Sequence, residues 1–558
     1  MMNTTQTALQ ANEKEVLTNA MEHLHNRTYF SQFPESPKAY DEASITEGEK
    51  QFHARLNQNY SGLFETNSKG WVGEEVSPFL QVGLGIKYPS FSTAQLIQYA
   101  QESAPIWASV SVEQRAAILL DSLEQIKLRF SELAYATMHT TGQSFMMSFQ
   151  ASGPHALDRA LETIALGHHE ISRFANQATW KKNMGKFDLV LEKNYKAMAK
   201  GTGLLIGCST FPTWNTLPGL YANLITGNNC IAKPHPKAIY PMAIVVEELQ
   251  KVFVKHQLPA TIVQLAPDTI AAPITKELCE NPYITLVDYT GGNAFGNYVE
   301  SLTGKTVFTE KAGVNSVIID STNDIQQTAQ NLAFSLSLYS GQMCTAPQNI
   351  YVAESGIQTP EGTVSFEEFK GILANAITGL ANHPKAGAGT LAAIQNDQTL
   401  KNIQHQLSNF SEYACKAETI QNPEFENART QTISLAVSDS SNKENLLKEY
   451  FGPFAILVKT KDFDESLQIA NESAKQKGAI TCLAYCTNEE KMKLIEDTMN
   501  KAFTPVSFNL SGAAFVNQHA AFSDFHVTGG NPAGNASFTD PNFVNQRFIW
   551  VGNRYMKQ

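Results

Sequence analysis

The 558-residue chain has no apolar run approaching the length of a membrane span, no internal repeat and no low-complexity tract. These absences argue against a membrane-spanning helix, a solenoid and a disordered or fibrous chain. An excess of positive charge is missing as well: 42 Lys and Arg stand against 53 Asp and Glu, a formal net charge of −11. That balance favours solubility and works against nucleic acid as a partner. Cysteine is sparse, with seven residues (208, 230, 279, 344, 415, 482 and 486) and no C-x-x-C pair. An odd, scattered set suits reduced thiols, not a disulfide scaffold or structural zinc. Cys482 and Cys486 lie four apart in AITCLAYC, but the alternating apolar pattern reads as a strand, so no metal site is expected there or elsewhere. The opening MMNTTQTALQANEKEV is polar and shows no basic region followed by an apolar core. A cytoplasmic protein with no membrane partner is therefore expected.

What is present points to a large soluble enzyme. The composition is 42% hydrophobic and 17% charged with 34 Gly and 23 Pro, and the length exceeds a single simple core. Residues 1–90 are polar and aromatic-rich with poor periodicity, an extension expected to wrap the main body. From Ser92 to Thr141 apolar residues recur at helical spacing (Ala116, Leu119, Leu120, Leu123, Ile126, Phe130), with Pro105 the one breaker before Gly142. One or two long amphipathic helices are predicted. LVLEKNYKAMAKGTGLLIGCST reads as a strand pair, after which NNCIAK, ATIVQLA and ITLVDYT alternate with helices. A second alternation runs from SVIID through a helix over 324–339 to QNIYVA, FAILVKT and AITCLAYC. The pattern predicts an α/β protein of two doubly wound domains joined near residue 310. Gly201, Gly203 and Gly207 in KGTGLLIG imitate a dinucleotide fingerprint, but they lead into a strand instead of closing one and opening a helix, so no phosphate role is expected for them.

Several stretches could carry chemistry. SLYSGQMCTAPQ places Cys344 after a helix among Gly341, Gln342 and Thr345, small or polar neighbours that leave a thiol reachable. Thirty-four residues earlier, TEKAGVNS sets Glu310 at a strand end where the two domains join; partial burial there would tune a carboxylate towards general-base work. STFPTWNTLPG puts Asn215 after the GLLIG strand, where its amide could hold an oxyanion. Lys233 ends a strand in NNCIAKPHPKA, and DYTGGNAFG sets Gly291, Gly292 and Gly296 between a strand and a helix, a setting in which backbone amides can approach a pyrophosphate. Each has a bland alternative as a packing, turn or surface residue.

Together, in this order and spacing, these stretches resemble the aldehyde dehydrogenase superfamily from about Trp107 to the C-terminus. GQMC matches the nucleophile motif, EKAG the base motif, and FPTWN the oxyanion asparagine motif, with Trp214 counted on the cofactor side. Lys233 matches the adenosine-side lysine and Thr290, Gly291, Gly292 and Gly296 the phosphate loop; Glu449 and Phe451 in EYFGP match the nicotinamide-ribose glutamate and its phenylalanine. The resemblance implies an aldehyde dehydrogenase-like fold with a dinucleotide-binding domain over 91–310, a catalytic domain over 311–510 and a C-terminal segment over 511–558 at the active-site rim and oligomer contacts, a small oligomerisation hairpin near 177–200, and a homodimer or homotetramer. It also implies NAD(P)-dependent oxidation of an aldehyde through a thiohemiacetal and thioester on Cys344, with Glu310 activating water. KPHPKA, GQMCTAPQ and the tail NQHAAFSDFHVTGGNPAGN look closest to the phenylacetic acid degradation branch, which implies a semialdehyde substrate, free or carried on CoA.

Departures from the family pattern carry their own expectations. Pro236 stands where NAD-preferring members carry a glutamate, so a ribose acceptor and a charge that would repel a 2′-phosphate are both gone. NADP is expected to be tolerated or preferred over NAD, with Lys233, His235 and Lys237 as candidate phosphate partners. The interval from Asn215 to Lys233 is shorter than usual, Gly292 replaces a serine, Lys311 replaces a leucine, and the first 75 residues have no placed counterpart. A CoA-acylating enzyme is the near alternative, disfavoured by Glu310. A non-catalytic nucleotide-binding relative is disfavoured by the joint presence of Cys344, Glu310 and Asn215. A cofactor-free thiol hydrolase would need a histidine beside Cys344, and His519 and His526 sit in no recognisable dyad motif.

Overall fold

The computed structural model describes residues 9–516, 522, 526–538 and 540–556. Its framework strands are β1 (Gln177–Asn183), β2 (Asp188–Ala199), β3 (Thr202–Ile206), β4 (Asn229–Lys233), β5 (Val263–Leu265), β6 (Ile284–Gly291) and β7 (Thr306–Lys311). They continue with β8 (Ser316–Ile319), β9 (Asn349–Ala353), β10 (Glu412–Cys415), β11 (Ser434–Asp439), β12 (Phe454–Thr460), β13 (Cys482–Tyr485), β14 (Val506–Phe508) and β15 (Phe548–Met556).

The first sheet has the order β5-β4-β3-β6-β7 and is parallel throughout. Strands such as NCIAK are buried along their whole length, as parallel strands covered by helices on both faces must be. The chain steps from β3 outward to β5 and returns to the other side of β3 with β6, so the direction of winding reverses between β3 and β6. Loops at the carboxyl ends of such strands form a natural ligand crevice. Asn215 follows β3, Thr290 and Gly291 end β6, and Glu310 lies in the last residues of β7.

The second sheet has the order β10-β11-β12-β9-β8-β13-β14, with β10 antiparallel and the remaining neighbours parallel. Only four residues separate β7 from β8, so the chain passes directly from one sheet to the other beside Glu310. The doubly wound α/β fold of the sequence reading is therefore present. One local reading needs correction. LVLEKNYKAMA and TGLLI are both strands but not partners: β2 pairs with β1 and β15 in a separate antiparallel sheet of three, while β3 enters the first parallel sheet. Gly201 makes the break, with φ +140 and Asn228 Oδ1 accepting from its N–H at 2.9 Å. The 92–141 region forms three helices, Thr93–Ser109, Val112–Lys127 and Phe130–Thr141, with Pro105 inside the first.

The N-terminal extension supplies helices Ala11–Asn26 and Glu42–Arg55 and packs Leu17, Phe52, Tyr60 and Tyr88 into the core around the first sheet. Glu75 docks it. Its buried Oε1 accepts from the Ile239 and Tyr240 N–H groups at 2.6 and 2.9 Å, capping helix Tyr240–Lys255, and Oε2 accepts from Tyr88 Oη at 2.6 Å. At the other end of the chain, Arg547 is fully buried and grips Asp288 of β6 with two bonds of 2.8 and 2.6 Å, its guanidinium 3.8 Å from the ring centroid of Phe308. Among the described residues, no helix is long and apolar enough to cross a membrane.

Candidate active site

Cys344 reaches the site by way of a constrained turn. Helix Ile325–Ser337 ends at Leu338, and Tyr339 and Ser340 then take left-handed conformations at φ 53 and 50. Non-glycine residues resist such angles, and they persist where surrounding bonds over-determine them. Here Tyr339 Oη donates to Thr141 O at 2.5 Å and Ser340 Oγ donates to Leu391 O at 2.9 Å. Gly341 completes the turn at φ 67, where a Cβ would meet Gly452 O at 2.4 Å. Asn315, just before β8, locks the loop beyond: its Nδ2 donates to Cys344 O at 2.8 Å and to Ala346 O at 3.0 Å, and its Oδ1 accepts from Ile480 N at 3.0 Å. The thiol is therefore placed by backbone bonds to the second sheet.

Glu310 arrives from the first sheet. Its side chain is 3% exposed and makes two directed contacts: Oε2 accepts from Asn215 Nδ2 at 2.8 Å, and Oε1 meets His526 Nε2 at 3.0 Å. The amide of Asn215 is oriented from behind by Cys208, whose thiol donates to Asn215 Oδ1 at 3.6 Å. Burial pushes that thiol up to about 11, which keeps it a donor. His526 Nε2 also lies 3.4 Å from Cys344 Sγ. Burial first, then the Glu310 carboxylate and Cys208, hold the Cys344 thiol well above its ordinary range, so a local base must take its proton before it can attack.

His526 is the residue that the sequence reading set aside. Its partners are 182 and 216 residues away, and nothing in its local sequence announces them. The segment that carries it is pinned to β7 by Lys311 N donating to Ala533 O at 2.7 Å, Asn535 N donating to Thr309 O at 3.1 Å, and an antiparallel bridge between Glu310 and Gly534. A Cβ on Gly534 would meet Thr309 O at 2.6 Å, so glycine permits this approach. His519 lies outside the described residues.

The residues assigned to a dinucleotide divide into groups. One pocket is lined by Asn215, Thr290 and Glu310, and another by Cys344, Glu449 and Phe451. Glu449 is reached by solvent yet sits deep in this concave cleft, and desolvation pushes its carboxyl up to about 7. Gly292 precedes helix Asn293–Glu300 with open space where a side chain would project. Gly296 faces inward instead: a Cβ there would meet Lys311 Cδ at 2.5 Å, so this glycine lets the helix close onto β7. Lys311, the replacement for the usual leucine, is buried and paired with Glu300 at 2.7 Å. Lys233 is 3% exposed, bound to Asp268 at 2.6 Å and donating to Pro234 O at 2.8 Å. His235 is pushed down to about 4, by burial first and by Lys233 and Lys237 second, so it is neutral at pH 7 and lends no charge to a phosphate. Trp214 stands apart from this cleft, edge-on to His526 at 4.7 Å with the Arg159 guanidinium 4.6 Å from its ring centroid.

A thiol from one sheet meets a carboxylate and an amide donor from the other beside the crevice at the carboxyl strand ends, the constellation of a thiol-dependent oxidoreductase. The family model described as "Aldehyde dehydrogenase family" matches residues 90–498, and the chain belongs to that family. A crystal structure of an NAD-dependent aldehyde dehydrogenase from Burkholderia multivorans is 39% identical, with a TM-score of 0.95 over 98% of both chains. A lactaldehyde dehydrogenase from Methanococcus maripaludis is 24% identical over 384 residues, which cover 68% of this chain and 77% of that protein. An NADP-dependent glyceraldehyde-3-phosphate dehydrogenase from Bacillus halodurans, solved with NADP, shares the fold at a TM-score of 0.70 and 16% identity, covering 88% of this chain and 96% of that one.

Proposed function

We propose that the protein oxidises an aldehyde to a carboxylic acid with NAD or NADP, using Cys344 as nucleophile, Asn215 as oxyanion donor and Glu310 as base. The observation that carries this reading is the meeting of Cys344, Asn215 and Glu310 from two sheets at the crevice mouth. The cofactor fits these residues: the Glu449 carboxylate lies open in the same cleft as Cys344, and the space beside Gly292 is open to close backbone approach. Glu449, Phe451, Thr290, Gly291, Gly292 and Lys233 would hold it. When bound, it accepts the hydride released by the substrate.

The chain's own residues do the rest. Cys344 passes its proton to His526 Nε2, 3.4 Å from Sγ, and attacks the carbonyl carbon, while Asn215 Nδ2 and the Cys344 N–H stabilise the oxyanion. To do so Asn215 turns its donor from Glu310 to the substrate, which frees Glu310 Oε2. Once the thioester has formed, Glu310 takes a proton from water, the water oxygen bonds to the acyl carbon, and the thiolate leaves. A carboxylate held at this place favours water over CoA as the acyl acceptor.

For the substrate we infer a semialdehyde of aromatic degradation, free or carried on CoA, supported by the likeness of KPHPKA, GQMCTAPQ and the tail to the phenylacetic acid degradation branch and by the Phe538 ring that lines the pocket with Asn215 and Glu310. NADP is accepted beside NAD because Pro236 offers no carboxylate, with Lys237 as the charged partner of a 2′-phosphate. The open face of the β15-β2-β1 sheet, with Trp180, Ile549 and Tyr555 exposed, is the surface assigned to a homodimer or homotetramer. The test is reduced-cofactor absorbance with aliphatic, aromatic and CoA-linked aldehydes, each with NAD and NADP. A signal absent in Cys344→Ala supports the reading, and nucleotide binding without turnover of any aldehyde overturns it.

A further inference from the structure

Three ligand-type atoms converge on one point between the two sheets. His526 Nε2 lies 3.4 Å from Cys344 Sγ and 3.0 Å from Glu310 Oε1, and a sulfur, a nitrogen and an oxygen from these residues all fall within 4.8 Å of one another. Both contacts use the same ring nitrogen: as an N–H it is shared between the carboxylate and the sulfur, and as a lone pair it is a metal ligand flanked by two others. A cation at the centre is attracted by all three.

The donor set selects the ion. Thiolate, imidazole and carboxylate together are ligands of zinc, at about 2.3 Å for sulfur and about 2.0–2.2 Å for nitrogen and oxygen, which gives tetrahedral edges of roughly 3.3–3.7 Å. The sulfur–nitrogen and nitrogen–oxygen separations of 3.4 and 3.0 Å lie within a few tenths of an ångström of those edges, so an ion enters between these atoms with small movements. The surroundings also suit a metal. His526 and Glu310 are 5% and 3% exposed, and Glu310 Oε2 stays held by Asn215 at 2.8 Å while Oε1 is offered to the ion. Trp214 packs edge-on against the imidazole at 4.7 Å and Phe538 stacks on it at 6.0 Å. Such outer contacts orient metal ligands.

We propose that the catalytic centre is also a zinc site, in which Cys344, His526 and Glu310 bind one Zn2+ with the fourth position open to the cleft, and that the bound ion reversibly silences the enzyme. On binding, the Zn–S bond forms and the thiol proton passes to solvent, with no change of oxidation state. The ion occupies the nucleophile and the base together. The silencing rests on the dehydrogenase reading; the binding does not.

The experiment is equilibrium dialysis of chelator-treated protein against Zn2+, and against Co2+ as a spectroscopic substitute, for wild type, His526→Gln and Cys344→Ser. Retained nucleotide binding confirms that each variant is folded. One ion per chain is expected, with a sulfur-to-cobalt charge-transfer band lost in Cys344→Ser. His526→Gln should bind at least about 10- to 100-fold more weakly. Aldehyde oxidation should fall in proportion to zinc occupancy and return with chelator. No stoichiometric ion, equal affinity in all three proteins, or a cobalt spectrum without sulfur ligation overturns the site, and full activity with the ion bound overturns the silencing. Metal-free protein that oxidises no aldehyde overturns the dehydrogenase reading, and the cobalt spectrum still decides the site.

Discussion

Asn215 Nδ2 donates to Glu310 Oε2 at 2.8 Å, so the oxyanion donor and the water-activating base hold each other before substrate arrives. The pairing gives each residue its geometry at rest and requires it to part during turnover. Asn215→Ala removes an oxyanion donor and should lower kcat by about 10²–10³, roughly 2.7–4 kcal/mol. The loss should fall on the acylation burst as well as on the steady state, because the donor acts before the thioester exists. Stopped-flow measurement of the burst checks this; an unchanged burst rate would show that Asn215 serves only to place Glu310.

Cofactor choice should respond to one carboxylate. Pro236→Glu brings a negative charge towards the Lys237 side of the cleft, and at about 4 Å from a 2′-phosphate the repulsion is on the order of 1–4 kcal/mol. The NADP to NAD ratio of kcat/KM should fall roughly 5- to 1,000-fold, with NAD turnover retained as the control for folding. Initial rates with both cofactors measure it. An unchanged ratio would place the phosphate elsewhere.

Stability should depend on pH through Glu75. Burial pushes its carboxyl up to about 7, against the lowering influence of Tyr88, Tyr240 and Ile239. A group whose pKa is raised in the folded state stabilises fully below its unfolded pKa, and that contribution is lost as pH rises through the folded pKa. The shift corresponds to at most on the order of 3 kcal/mol. Glu75→Gln keeps an acceptor for the Ile239 and Tyr240 N–H groups and removes the titration. Urea unfolding at a series of pH values should show the wild type losing stability relative to this variant between about pH 4.5 and pH 7; parallel curves would contradict the assignment.

The C-terminal segment hangs on Arg547. Arg547→Met leaves Asp288 without its bidentate partner and should destabilise by about 3–5 kcal/mol, with part of the loss recovered when Asp288→Asn is added. Chemical denaturation of the single and double variants measures this. Losses that simply add would show that the ion pair is not the cause.

Much of this architecture could be read from sequence because it is local. Alternating apolar strands and helices announce both main sheets, and Cys344, Glu310 and Asn215 each stand in a short motif of the family. What escaped depends on where distant segments meet. β2 and β3 are adjacent in the chain and read as a pair, yet sheet membership is set by β1 and β15. Glu75 caps a helix 164 residues further on, a contact that no local pattern encodes. Lys233 reads as the adenosine-side lysine and a candidate phosphate partner, whereas Asp268 pairs with it in this structure. His526 had no dyad motif because its approach to Cys344 is made by the pairing of the 531–535 segment with β7, and the glycine at 534 was the one local trace of that approach.

Passage of the substrate through a thioester on Cys344, hydrolysed with the help of Glu310, is tested by a single-turnover reaction of Glu310→Gln with aldehyde and NAD or NADP, followed by peptide mass spectrometry. Glutamine preserves an acceptor for Asn215 but cannot take a proton from water. The expected result is one burst of reduced cofactor per active site, slow steady-state turnover, and the acyl mass on the peptide containing Cys344. Steady turnover at the wild-type rate with no acyl adduct on Cys344 would contradict it.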